Sequence, residues 1–157
     1  MSEPSSYPVG SPREVLDRVF RYLQTRDMDA YADLHAEDAV SESVFASPGD
    51  SGRMTGREQI RARLKAAHQM FPMKIDGFDS VVVHETLDPE VLIAEYNMSG
   101  RLIETNREFR FSDLLIMRVR EGRIVSMRAY TNPLAIAETL GMLPRLVERL
   151  SGDGRPD

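Results

Sequence analysis

The chain has 157 residues, 41% hydrophobic and 29% charged, with a net charge of −5 at pH 7 and no cysteine. That length holds about one domain, the acidic balance speaks against nucleic acid as a partner, and the missing cysteines exclude disulfides, thiolate nucleophiles and Cys-based metal sites. No apolar run reaches the length of a bilayer span, and the opening MSEPSSYPVGSP lacks the basic and apolar regions of a signal peptide. The expectation is a cytoplasmic protein with no membrane partner.

Residues 1–11, rich in Ser, Pro and Gly, read as a disordered tail, and the domain is expected over 12–150 with a second free tail at 151–157. Ser11-Pro12 is a helix start, and Val15, Leu16, Val19, Phe20 and Leu23 follow at helical spacing. Asp27 caps a shorter helix carrying Tyr31 and Leu34. Residues 39–46 alternate as a short strand, SPGDSGRMTG reads as a loop, and a third helix opens at Gly56-Arg57-Glu58. Its apolar face is Ile60, Leu64, Ala67, His68 and Phe71, and Pro72 ends it.

Beyond Pro72 the hydrophobic period changes from helical to alternating. Strands are expected at 74–86, 90–104, 106–120 and 123–131, with a turn at Asp88-Pro89 and a tight hairpin at Glu121-Gly122. Pro133 starts a short helix, Gly141 stops it, and LPRLVERL supplies a further helical turn.

Five segments carry a resemblance: DMDAYADLHAEDAV (27–40), GREQIRARL (56–64), the Phe-Pro at 71–72, REGRIVSMRAY (120–130) and TNPLAIAETLGM (131–142). With the order of elements they make the chain resemble the nuclear-transport-factor-two-like superfamily. Within it the chain resembles in particular the SnoaL-like polyketide cyclases, the phenazine biosynthesis A/B proteins and ketosteroid isomerase. The resemblance implies an α+β fold: a cone-shaped barrel in which a curved antiparallel sheet wraps three N-terminal helices around a pocket. It also implies a homodimer through the outer sheet face. The fold itself does not choose among the superfamily's activities.

Strand parity, set beside the resemblance, sorts the pocket residues. Both the isomerase-like and the phenazine-like register turn Met127, Ala129 and Thr131 inward, and the phenazine-type glutamate would fall at Ala129, so that acid is absent. On the preceding strands the inward sets are Ile75, Gly77 and Asp79; Leu92, Ala94, Tyr96 and Met98; and Phe111, Asp113, Leu115 and Met117. Asp113 shares the parity of the protonated aspartate of ketosteroid isomerase, displaced by one inward position. The isomerase base would map near Ser43 and its tyrosine near Val19, one helical turn from Tyr22, so the isomerase triad is not reproduced.

The candidate catalytic residues are therefore Asp113, Asp79 and Tyr22. The candidate substrate-binding residues are Tyr96, His68, Leu92, Met98, Leu115, Met127, Ala129 and Thr131. Each polar candidate has a plainer reading: Asp113 as a turn residue, Asp79 in a bulge, His68 as a core histidine. His35 reads as structural and His84 as surface. Histidines on three separate elements form no metal-ligand spacing, so neither metal nor cofactor is expected. On the outward face Ile93, Leu114, Ile116, Ile124 and Tyr130 mix with Glu95, Asn97, Arg118 and Arg128, the pattern of a dimer interface. The functional expectation is a cofactor-free cyclase or isomerase of natural-product biosynthesis acting on an apolar small molecule. A non-catalytic binding protein with the same pocket is the alternative. An epoxide hydrolase ranks behind both, because no arginine has inward parity.

Overall fold

The computed structural model describes residues 6–47 and 49–152. The elements follow in chain order as α1 (Pro12–Thr25), α2 (Met28–Asp33), β1 (His35–Ser43), β2 (Arg53–Thr55), α3 (Arg57–Met70), β3 (Met73–Glu85), β4 (Val91–Leu102), β5 (Glu108–Arg120), β6 (Arg123–Tyr130), α4 (Pro133–Thr139) and α5 (Leu143–Gly152). The expected α+β architecture holds, with a curved, unclosed six-stranded sheet. Strand order is β2-β1-β6-β5-β4-β3.

Two features differ from the expected wholly antiparallel meander. Strand β1 runs parallel to β6, so the sheet is mixed. The loop read over 47–56 contributes β2, which pairs antiparallel with β1 through Val40–Thr55 to Glu42–Arg53. A strand of three residues is too short to show a period, which is why it reads as loop in the sequence.

Local chemistry sets the helix ends. Ser11 Oγ accepts from the Glu14 amide at 3.3 Å, Pro12 occupies the first turn, and Arg26 closes α1 in the left-handed region at φ 60°. Asp27 Oδ1 caps α2 through the Ala30 amide at 2.9 Å. Asn132 caps α4 through the amides of Leu134 and Ala135. Residues 6–11, expected to be free, are anchored: Arg13 donates to the Tyr7 hydroxyl at 2.7 Å, and the Gly10 amide donates to Glu14 at 3.1 Å. Residues 1–5 and 153–157, also expected to be tails, lie outside the described residues, whereas Ser151 and Gly152 end α5.

The core lies between α1, α2 and the concave face of β4–β6. Val15, Leu16 and Val19 of α1 meet Leu92, Ala94, Leu115, Met117, Val119, Ile124 and Met127 of the sheet, all buried. Burying each such side chain is worth roughly 1.5–3 kcal/mol, so this face holds the helical layer on the sheet. Ile124, expected outward, is fully buried here. A register shift between Arg118 and Val119 lets Val119 pair with Ile124 while Arg118 pairs with Ser126, and the extra residue turns Ile124 to the concave side.

The larger departure is in β3. Register shifts fall between Ile75 and Gly77 and between Asp79 and Val82 against β4, with Ser80 at φ 53°. Each extra residue inverts the alternation. Phe78 therefore points inward, stacking on Phe20 with ring centroids 4.1 Å apart and meeting Tyr96 edge-on at 5.6 Å. Asp79 points out.

Candidate functional site

Asp113 is the best-placed of the expected catalytic groups. It sits in the middle of β5 with the buried Phe111 and Leu115 on either side in the inward set, and only 8% of its surface is exposed. Its Oδ1 is buried with no hydrogen-bond partner among the described residues. Burial pushes the carboxyl up to about 6, and hydrogen bonding from the Thr131 side chain opposes that rise in part. A carboxyl in this state changes charge near neutrality and can accept or return a proton.

A phenol stands next to it. Tyr96 is the direct cross-strand partner of Asp113 in the β4–β5 ladder. Burial raises the Tyr96 phenol, and the charges of Asp113 and Tyr31 raise it further. Tyr31, buried on α2, is pushed up to about 12 by burial and donates to the Met127 sulfur at 3.4 Å. Both phenols thus remain protonated, Tyr96 beside the titratable Asp113 carboxyl and Tyr31 on the Met127 sulfur. Tyr31 has the spacing on α2 of an ordinary core residue, and it packs in the core, in contact with Met127 of β6.

The other expected residues divide by position. Ala129 and Thr131 line a cavity of about 510 Å³ formed with the β1–β2 connection, α3, α4 and α5. Phe45, Phe71, Ile136, Leu140 and Leu146 make its apolar walls, with Arg63, Arg145 and Arg149 among the polar lining. Leu92, Leu115 and Met127 instead belong to the packed core beneath α1. Met98 faces Phe78 across β3–β4, beside the Phe20–Phe78–Tyr96 cluster. Tyr22 packs on the rim of the core.

Two expected pocket residues are elsewhere. Asp79 lies on the outer face in a two-point ion pair with Arg110 (2.5 and 2.6 Å), and that guanidinium, with Ser80, lowers its carboxyl to about 2. The β3 bulges are the reason. His68 lies in a surface groove between the α1–α2 junction and α3, its Nε2 2.8 Å from the Arg26 guanidinium. Helix α3 buries only Ile60 fully, so its apolar stripe does not carry His68 to the interior. Burial and the Arg26 charge hold this imidazole below its usual value.

His35 is structural in placement: 1% exposed, with Nδ1 3.3 Å from the carbonyls of Tyr31 and Ala32. His84 is on the surface beside Glu95. Among the described residues no group of three His, Asp or Glu side chains converges as a metal site would require, and no helix is long and apolar enough to cross a membrane.

This geometry can be set beside known proteins. The model of the SnoaL-like domain matches residues 16–127. The chain belongs to the SnoaL-like domain family. Its SnoaL-like relatives include the uncharacterised Bacillus subtilis protein YesE, 32% identical over 82% of this chain and 86% of that protein. The uncharacterised phenazine A/B-like protein PA3332 of Pseudomonas aeruginosa is 31% identical over 82% and 89%. Among solved structures, a candidate isomerase from Bacillus subtilis superposes with a TM-score of 0.75 at 31% identity, covering 83% of this chain and 92% of that one. A phenazine biosynthesis-related protein of Pseudomonas aeruginosa follows at 0.65 and 18%, covering 83% and 84%, a likeness of SnoaL-like fold alone.

Proposed function

We propose that the protein is a cofactor-independent isomerase or cyclase that acts on an apolar small molecule, with Asp113 moving the proton. The observation that carries this reading is the buried Asp113 carboxyl, unpartnered at Oδ1 and titrating near neutrality. Thr131 supports it, since that side chain both belongs to the cavity lining and bonds the carboxyl.

At neutral pH the carboxylate takes a proton from a carbon next to a substrate carbonyl. The acid so formed returns the proton to a different carbon or to an oxygen of the closing ring. Tyr96, kept protonated by burial beside Asp113, donates toward the enolate oxygen as charge develops there. Walls such as Ile136, Leu140 and Phe71 fold a flexible substrate toward its reactive shape, lowering the barrier without further acid–base help. The outer sheet face, where Ile93, Leu114, Ile116 and Tyr130 are half-buried, forms the homodimer in this reading: Leu114→Lys is expected to sediment as a monomer, and a parent that sediments as a monomer overturns it.

Deuterium wash-in from D₂O into a panel of enones, β-keto acids and polyketide lactones, followed by NMR, requires no knowledge of the product. Asp113→Asn is expected to slow exchange on any active panel member by roughly 10²-fold or more. Unchanged exchange in that variant overturns the assignment of Asp113. A second reading, a binding protein without turnover, draws on one observation: Asp79 faces outward, so Asp113 has no second strand carboxylate to share the acid and base roles. Tight binding from the panel with no wash-in anywhere would favour it.

A further inference from the structure

We infer that the molecule bound at this site is an amphipathic carboxylic acid, its apolar body in the cavity and its carboxylate held by Arg145 and Arg149 at the mouth. This rests on the pocket reading above and names the substrate class. Three arginines and one aspartate line the cavity, Arg63, Arg145 and Arg149 against Asp50, an excess of two positive charges in a protein whose net charge is −5. The Asp50 carboxylate is already engaged: Oδ2 accepts from Arg63 at 2.7 Å, and Oδ1 accepts from the Gly52 amide at 2.9 Å. The Gly52 amide and then Arg63 hold it below its ordinary value, so it stays ionised and committed to them.

Arg145 and Arg149 are different. They stand one turn apart on α5 and neither has an acidic partner among the described residues. Many arginines elsewhere have acidic partners, among them Arg61 with Asp29, Asp33 and Glu58, Arg101 with Asp76, Arg110 with Asp79, Arg118 and Arg120 with Glu90, and Arg128 with Glu42, while Arg13, Arg57 and Arg123 donate to neutral oxygens of Tyr7, His35 and Asp33. Residues Met142 and Leu146 on the same stretch turn into the cavity beside them. Helix α5 thus presents apolar contacts and two uncompensated guanidinium groups to one cavity. Two forks of planar donors match a carboxylate well. A ligand held this way has a fixed direction, with its charged end at the mouth and its apolar end toward Thr131 and the Asp113 carboxyl. Asp113 then works on a carbon remote from the ligand's own carboxylate, which keeps the two negative charges apart.

The test pairs acids with amides of the same shape: decanoate with decanamide, and 2-naphthoate with 2-naphthamide, titrated calorimetrically against the full chain. The acids are expected to bind roughly tenfold or more tightly than the amides at low salt, with the advantage shrinking at high salt. In Arg145→Gln/Arg149→Gln the acids lose their advantage over the amides. Arg149→Glu serves as a second variant, and circular dichroism confirms that each is folded. Equal binding of acid and amide, an acid preference that survives both Gln substitutions, or no acid bound at millimolar concentration overturns the inference. Loss of the charge preference with Asp113-dependent deuterium exchange intact removes only the carboxylate from the substrate. A charge preference with exchange indifferent to Asp113→Asn removes instead the proposed proton transfer.

Discussion

Asp113 and Tyr96 are direct partners across the β4–β5 ladder, and both turn to the concave side of the sheet. Burial raises each group above its ordinary value, and the charge of Asp113 raises Tyr96 again. The pair therefore carries at most one negative charge near neutrality, and Asp113 is the member that ionises. An inward carboxyl in an apolar layer costs stability, which is measurable.

The pH dependence has a definite sign. Asp113 titrates near 3.8 when unfolded and at about 6 in the fold. Between those values the native state binds more protons than the unfolded one, so stability falls as pH rises through that window and levels off above it. The total loss is about 2–3 kcal/mol. Asp113→Asn removes this dependence. Thermal melts should show the variant more stable than the parent at pH 8, with the advantage gone at pH 4; a parallel pH dependence in both proteins would contradict the assignment.

Asp79→Asn is the matching control. Its carboxylate is an exposed partner of Arg110 on the far side of the sheet, and exposed ion pairs contribute little to stability. Deuterium wash-in should remain within about twofold of the parent and the melting temperature should be unchanged. A loss comparable to that of Asp113→Asn would mean that the outer face contributes to the reaction.

Gly100 is set by close approach. A Cβ there would lie 2.1 Å from the Lys74 carbonyl oxygen and 2.7 Å from the Phe109 ring. Because the first of these is backbone, Gly100→Ala must part β3 from β4. A destabilisation of about 1–3 kcal/mol or more is expected in urea melts, with amide exchange rising first along β3.

The β5–β6 turn places both Glu121 and Gly122 at positive φ, 49° and 73°, the mirror-image turn that suits hairpin twist. Glycine at 122 is at home there and glutamate at 121 is not. Glu121→Asn should stabilise the protein by about 0.5 kcal/mol or somewhat more, read as a higher urea midpoint with unchanged slope. Gly122→Ala should do the reverse, since its Cβ would also meet Gly10 Cα at 3.3 Å.

Strands β4 and β5 show what local pattern can reveal. They pair without a shift from Val91–Arg118 to Arg101–Glu108, so strict alternation carries Leu92, Ala94, Tyr96 and Asp113, Leu115, Met117 inward as their parity implies. The helix starts at Ser11-Pro12, Asp27 and Asn132-Pro133 are equally plain, because capping is a contact between near neighbours. These elements, and with them the family and the position of Asp113, follow from the sequence by itself.

Other features depend on partners distant in the chain. The bulges of β3 arise from its fit to β4, and they exchange Asp79 for Phe78 on the concave side. A single added residue inverts parity without leaving a sequence signal of its own. The parallel pairing of β1 with β6, the burial of Ile124, and the placing of Tyr96 and Thr131 beside Asp113 join residues that are not sequence neighbours. Helix α5 reads in the sequence as no more than a further helical turn, and only in the fold do Arg145 and Arg149 meet a cavity walled by four other segments. Alternation and capping are short-range and visible in the order of residues; register, bulges and the closing of a cavity are long-range, and only tertiary packing decides them.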